Sequence, residues 1–115
     1  MELLELAVQE DPENDRNMHY LGREYMYYSR WNECIDTLIK HLNLPSAKWN
    51  DERCASMRFI ARSYQALKRY DEAKMWLEKA ILEAYEIGDS SFVRSLEQEA
   101  FADGNMTLSN LIGKD

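Results

Sequence analysis

Arginine residues at matching positions of two helical segments are the feature of this chain that is best suited to chemistry. Arg23 and Arg62 lie 39 positions apart, within two stretches of similar sequence. If these stretches form neighbouring helices, the two guanidinium groups lie side by side. A guanidinium group presents its N–H donors as a rigid fork that fits a carboxylate or a phosphate. The spacing therefore predicts a surface that binds an anion.

The charge distribution indicates what kind of anion this surface binds. Residues 16–70 contain ten basic and five acidic residues, whereas residues 1–15 contain six acidic residues and no basic one. The whole chain has a formal net charge of −7 and an isoelectric point of about 4.8. Because a domain that binds nucleic acid usually carries an overall positive charge, these values argue against nucleic acid. The partner that we predict is a protein or an acidic peptide.

A competing interpretation is that the chain neutralises its own arginines. Glu24 and Glu52 are acidic residues inside the basic middle of the chain, and residues 71–103 contain nine acidic and three basic residues. Glu97 or Glu99 in that part could pair with Arg23 and Arg62. In this interpretation the basic surface is a solvated face without a ligand.

The histidines and cysteines form no pattern that indicates a metal site or a catalyst. His19 and His41 lie 22 positions apart on separate predicted helices, and no third ligand stands at a suitable spacing. Cys34 is predicted to be a core residue, and a disulfide to Cys54 is not expected in a cytoplasmic chain. The sequence also contains no glycine-rich phosphate loop and no nucleophile motif. We therefore predict no catalytic residue, no cofactor and no metal.

The elements that position these residues follow a pattern that occurs twice. The pattern Met18-x2-Leu21-Gly22-x2-Tyr25 recurs 39 residues later as Met57-x2-Ile60-Ala61-x2-Tyr64. The segment Arg30-Trp31-Asn32-Glu33-Cys34-x3-Leu38 recurs in the same way as Arg69-Tyr70-Asp71-Glu72-Ala73-x3-Leu77. In each copy the spacing places the apolar and small residues on one face of a helix. The sequence therefore predicts two pairs of amphipathic helices.

This pattern resembles the tetratricopeptide repeat, which runs W-x2-L-G-x2-Y, then A-x3-F, then P over 34 residues. The resemblance implies an all-α fold, a tetratricopeptide-like right-handed stack of antiparallel helix pairs with about five to six helices. Such pairs bury their apolar faces against one another and leave a concave surface for partners. The resemblance also implies that the first helix of each repeat lines this surface with the residues that lie off its packed stripe. The residues predicted to line this partner-binding groove are Arg16, His19, Arg23, Met26, Tyr27, Arg58, Arg62 and Gln65.

The predicted helices divide the chain into five segments. We expect helices at residues 2–10, 15–28, 31–43, about 47–67, 71–87 and about 90–102, with Ser46 as the N-cap of the fourth. Residues 1–14 are then the second helix of a truncated preceding repeat, or alternatively a native capping helix. Residues 15–46 form the first repeat, and residues 47–87 form the second repeat with an extended first helix. Residues 88–103 are predicted to be a divergent capping helix, and residues 104–115 a tail.

Three segments carry a narrower resemblance. Residues 20–28, 44–47 and 52–64 are similar to the repeat region that follows the catalytic domain in some bacterial family 2 glycosyltransferases. The resemblance covers about residues 2–84. It implies that any nucleotide-sugar chemistry belongs to an upstream domain, whose acidic metal ligands have no counterpart in this sequence.

These features together predict a cytoplasmic, non-catalytic scaffold module that binds a protein or an acidic peptide through a basic concave groove. The alternative is an accessory domain that organises or dimerises an attached glycosyltransferase and has no ligand of its own. In either case, exposed ends of the repeat stack could join two copies into a homodimer. No apolar run approaches the roughly 18 residues that a membrane span needs, so no span is expected.

Overall fold

The computed structural model describes residues 2–86, and this part of the chain is helical. The helices are α1 (Glu2–Glu10), α2 (Asp15–Tyr27), α3 (Trp31–Asn43), α4 (Asn50–Ala66) and α5 (Tyr70–Glu86). Within residues 2–86 there is no strand, which confirms the predicted all-α class. The predicted helix at about 90–102 and the predicted tail at 104–115 lie outside the described residues. None of the five helices has the length and apolar character needed to cross a membrane.

The helices pack in the order in which they occur along the chain. Extensive contacts join α2 to α3, α3 to α4 and α4 to α5. The contact between α1 and α2 is smaller, and α2 also touches α4 directly. As a result, α2, α3 and α4 meet around a common interior region, which positions most of the candidate site.

The turn after the first helix of each copy has the same structure. Ser29 and Lys68, which are 39 positions apart, have positive φ angles of 59° and 62°. The arginine after each of them donates its backbone N–H to the carbonyl oxygen of a preceding tyrosine, at 2.8 and 2.9 Å. Its guanidinium group also lies over the ring of that tyrosine, at 4.7 and 4.9 Å from the centroid. The two copies of the sequence pattern therefore fold into the same helix–turn–helix unit.

The repeated apolar positions form the core. Leu38 and Ile60 are completely buried within one cluster, which contains residues of α2, α3 and α4. A second cluster lies between α4 and α5, and Tyr64 and Trp76 contact both clusters. The predicted burial of Cys34 is confirmed, and its thiol is free. The helical periodicity of the sequence thus identifies the faces that pack together.

The start of α4 differs from the prediction. The sequence predicts a helix from about residue 47 with Ser46 as its N-cap, and both points are wrong. The helix begins at Asn50, and its N-cap residue is Trp49. The Ser46 hydroxyl instead donates to the carbonyl oxygen of Glu13 at 3.3 Å and to Oδ1 of Asp15 at 3.2 Å. A contact with the beginning of α2 therefore replaces the expected helix cap.

The neighbouring helices bury only part of the apolar surface of α1. Leu4 packs against the cluster formed by α2, α3 and α4, and Glu5 accepts a hydrogen bond of 2.6 Å from the Tyr25 hydroxyl. Leu3 and Leu6, in contrast, are 83% and 50% exposed. A cavity of about 520 Å³ is lined by residues of α1, α2 and α3. Among the described residues, little covers Leu3, and only half of Leu6 is covered.

Candidate functional site

The predicted groove residues differ in exposure. The exposed ones are Arg16, Tyr27 and Arg62, the half-buried ones are Arg23, Arg58 and Gln65, and the buried ones are His19 and Met26. The prediction that His19 and Met26 lie off the packed stripe is wrong, since they are only 6% and 5% exposed. The reason is that α2 contacts α3 and α4 at once and so buries a wider stripe than the repeat pattern indicates. We call the six accessible residues the arginine face.

Arg23 and Arg58 bring positive charge from α2 and α4 to the same region. The guanidinium group of Arg23 lies 4.9 Å from the ring centroid of Tyr20, and that of Arg58 lies 5.3 Å from the ring centroid of Phe59. Burial is the main cause of the lowered pKa of His19, and the charges of Arg23 and Arg58 lower it further. Both cations therefore lie near one histidine, and two helices contribute charge to one surface.

Two donors of the arginine face are buried without a hydrogen bond. Nε of Arg23 and Nε2 of Gln65 have no hydrogen-bond partner among the residues that the structure describes. A buried donor that stays unsatisfied costs about 1–3 kcal/mol. An oxygen of a ligand is one group that could satisfy them.

The competing interpretation, in which arginines of the predicted groove pair with acidic residues of the chain, agrees with the structure at Arg16. Nε of Arg16 lies 4.0 Å from Oε2 of Glu52. The Arg16 side chain is largely exposed, so this ion pair contributes about 0–1 kcal/mol to stability. Glu97 and Glu99, the other expected partners, lie outside the described residues.

A buried series of polar side chains, which we call the histidine network, joins α2, α3 and α4. The Ser56 hydroxyl lies 2.7 Å from Nδ1 of His19 and 2.8 Å from Nδ1 of His41. Nε2 of His41 lies 3.3 Å from Oε1 of Glu52. All four residues are buried. Because the partners of each histidine lie on other helices, their spacing along the chain carries no signal, and sequence reasoning missed them.

Burial controls protonation within the histidine network. It lowers the pKa of His19 to about 4, with a further contribution from the neighbouring His41. It also lowers the pKa of His41 to about 4, although the charge of Asp15 opposes this shift. Burial raises the pKa of Glu52, and Asp15 raises it further. Both imidazoles are therefore neutral near pH 7, and each carries a single N–H.

Ser56, His41 and Glu52 are the residue types of a serine-hydrolase triad, but their placement does not suit nucleophilic attack. Ser56 is completely buried, and its hydroxyl lies between two imidazoles. A nucleophile has to reach the atom that it attacks. The arrangement is better suited to joining three helices or to holding an ion.

One group of side chains has the composition and spacing of metal ligands. A ligand atom from each of Asp15, His41 and Glu52 lies within 4.8 Å of the other two. These residues come from α2, α3 and α4. Asp15 lies 26 positions before His41 and Glu52 lies 11 positions after it, so their proximity depends on packing. No motif of the sequence brings them together.

Comparisons of the chain with protein-family models, with curated proteins and with solved structures find no match. The resemblances to tetratricopeptide repeats and to glycosyltransferase repeat regions therefore stay hypotheses that rest on sequence pattern.

Proposed function

We propose that this chain is a non-catalytic, cytoplasmic scaffold module whose arginine face binds an acidic peptide of a partner protein. In this proposal the helices belong to a tetratricopeptide-like stack, and the parent protein is a bacterial glycosyltransferase-like protein. The observation that carries the proposal is the pair of buried donors, Nε of Arg23 and Nε2 of Gln65, that lack a hydrogen bond within residues 2–86. Carboxylate oxygens of a peptide are hydrogen-bond acceptors of the kind that each of these donors lacks.

The surroundings of Arg23 favour such a ligand. Its guanidinium group lies over Tyr20 and also within 5.9 Å of the Tyr27 ring centroid. These contacts hold the guanidinium group in place, so less conformational entropy is lost when it binds. Arg58 adds a second cation near His19. A peptide with several carboxylates matches this arrangement better than a single small anion, because the cations come from two helices.

The proposal is tested with the double variant Arg23→Gln/Arg62→Gln and a fluorescein-labelled peptide rich in Asp and Glu. Charge-assisted hydrogen bonds contribute about 1.5–3 kcal/mol each, so the double variant should weaken binding by more than about tenfold. Because salt screens exposed charges, affinity for the parent chain should also fall as ionic strength rises. Fluorescence anisotropy measures both effects, and circular dichroism checks that helix content is unchanged.

The matched control is Arg30→Gln/Arg69→Gln. These arginines are also 39 positions apart and carry the same charge, but they pair with Glu33 and Glu72 in the two turns. The control should bind the peptide almost as tightly as the parent chain. Equal weakening by both double variants would mean that only net charge matters, and a parent chain that does not bind at low salt would contradict the proposal.

The alternative function, an accessory domain that dimerises an attached enzyme, is favoured by one observation. Leu3 and Leu6 on α1 are 83% and 50% exposed and present apolar surface to solvent. If this surface joins two copies, sedimentation velocity should show a dimer that depends on protein concentration, and Leu3→Glu/Leu6→Glu should remove it. Leu82→Glu is the control, because Leu82 is 55% exposed on α5. A parent chain that stays monomeric at all concentrations would exclude this alternative.

A further inference from the structure

We propose that Asp15, His41 and Glu52 bind a divalent transition-metal ion, with Zn²⁺ as the best fit, where α2, α3 and α4 meet. His41 is completely buried and Glu52 is 6% exposed, while Asp15 is half-buried at the first position of α2. One imidazole and two carboxylates form a donor set that Zn²⁺ accepts, and three protein ligands leave a position for water or another ligand. Nothing in the proposed peptide-binding function requires this site.

The distance between His41 and Glu52 fits two ligands of one ion. Nε2 of His41 and Oε1 of Glu52 are 3.3 Å apart. Ligand atoms at about 2.0–2.2 Å from a tetrahedral Zn²⁺ are about 3.3–3.6 Å from each other. A direct N–H···O hydrogen bond is usually shorter, at about 2.9–3.0 Å. Asp15 completes the set, since one of its carboxylate oxygens lies within 4.8 Å of the ligand atoms of His41 and Glu52.

The histidine network supplies the support that a metal-binding imidazole needs. Ser56 has one hydroxyl proton, and its oxygen lies near Nδ1 of both His19 and His41. If Ser56 donates to His19, it accepts the Nδ1–H of His41, and Nε2 of His41 carries a lone pair that points toward Glu52. A cation between Nε2 of His41 and the Glu52 carboxylate would be attracted by both, which favours this tautomer of His41. Hydrogen bonds of this kind to the second ring nitrogen fix the tautomer of a ligating histidine.

Charge also favours a cation at this position. A carboxylate oxygen of Asp15 and one of Glu52 lie within 4.8 Å of each other, so their negative charges repel. Arg16 Nε is 4.0 Å from Glu52, and Arg53 is held by Glu83 and by two backbone carbonyl oxygens. A divalent ion would offset the repulsion between the two carboxylates more closely than these arginines do.

The surface offers a route to the site. A cavity of about 230 Å³ reaches Glu52 and is lined by His19, Tyr20, Trp49, Asp51, Glu52 and Ala55. Its size is sufficient for water molecules and for an entering ion. The fourth ligand of the ion can therefore come from this cavity.

The test uses the full chain, freed of metal with a chelator and then titrated with ZnCl₂ in a calorimeter. We expect one Zn²⁺ per chain and a melting temperature that rises by several degrees when Zn²⁺ is in excess, because only the folded chain holds the three ligands together. Asp15→Asn should weaken binding at least tenfold, and Glu52→Gln, which keeps the shape of the side chain, should abolish it. The matched control is Asp51→Asn, which removes a carboxylate from the same cavity and should leave the affinity unchanged.

Replacement by Co²⁺ identifies the ligand atoms, since thiolate ligands produce an intense near-ultraviolet absorption that nitrogen and oxygen ligands do not. We expect no such band, which separates this site from binding by Cys34 or Cys54. The proposal is overturned by a thiolate band, by the absence of stoichiometric Zn²⁺ binding, or by Asp15→Asn and Glu52→Gln variants that bind as tightly as Asp51→Asn. The melting temperature of each variant without metal shows whether it is folded.

Discussion

Replacing Gly22 with valine is expected to lower the free energy of unfolding by about 3 kcal/mol. A Cβ atom at Gly22 would overlap Cγ and Cδ2 of Leu38 and lie 3.3 Å from its Cδ1. Leu38 is completely buried on α3, so its side chain has little room to move away. Glycine within a helix is less favourable than alanine by about 1 kcal/mol, and the close approach of α2 and α3 explains why it stands there. Urea unfolding followed by circular dichroism measures the loss.

A double-mutant cycle shows whether the contact with Leu38 is the cause. Leu38→Ala alone should lower the free energy of unfolding by about 2–5 kcal/mol, because it leaves a cavity. In the double variant Gly22→Val/Leu38→Ala the valine partly fills that space, so the combined loss should be smaller than the sum by about 1 kcal/mol or more. Strict additivity would mean that Gly22 does not pack against Leu38.

Ala61 occupies the position of the second copy that Gly22 occupies in the first, so a larger side chain there tests the same kind of close helix contact. It is 1% exposed, so Ala61→Leu should overpack the core between α4 and α5 and lower the melting temperature by several degrees. Ala66→Leu makes the same chemical change at an exposed position in the last turn of α4 and should have little effect. Equal melting temperatures for these two variants would contradict the register of the repeat.

Acidification is expected to lower the free energy of unfolding, and this is the second large effect that we predict. The pKa values of His19 and His41 are lowered from 6.5 to about 4 in the folded chain. Between these values the unfolded chain binds more protons than the folded chain, so stability rises with pH in this window. The contribution is complete above about pH 6.5 and is lost as the pH falls toward 4. Since one pKa unit corresponds to about 1.4 kcal/mol, the upper bound is about 3.5 kcal/mol for each histidine.

Urea unfolding at several pH values, with a chelator present throughout, measures this loss. Glu52 acts in the opposite direction, because its pKa is raised and its protonation on acidification favours the folded chain. The net loss should therefore be smaller than the two histidine contributions combined. His19→Gln can keep a hydrogen bond to Ser56 but cannot titrate, so it should be less stable at pH 7.5 and show a shallower decline. A parent chain and a variant with the same pH dependence would contradict the prediction, as would imidazole NMR signals that titrate near pH 6.5.

The helices could be predicted from the sequence because their signals are local. The predicted bounds of the first and third helices, 2–10 and 31–43, agree with α1 and α3. The two turns at Ser29 and Lys68 lie between the two helices of each copy of the repeated pattern. The start of α4 could not be predicted in this way. Ser46 has the chemistry of a helix cap, but its hydroxyl binds the beginning of α2 instead.

The candidate site was only partly accessible to sequence reasoning. The 39-residue offset predicts that Arg23 and Arg62 lie side by side, and this pairing stays a prediction. Arg23 and Arg58, which this offset does not relate, both act on the pKa of His19. The burial of His19 and Met26 was not predictable from the pattern of α2 alone. It depends on α4, which covers a side of α2 that the repeat pattern leaves polar.

The sequence by itself determined the all-α class, the repeated helix–turn–helix unit and the apolar faces, because a period of 3.6 residues is a property of each helix alone. The tertiary structure decided which polar residues meet. His19, His41 and Ser56 contribute to one buried network from three helices, and no spacing along the chain links them. Their hydrogen bonds and lowered pKa values exist only after packing has excluded water, so the chemistry of this interior region belongs to the fold and not to any one segment.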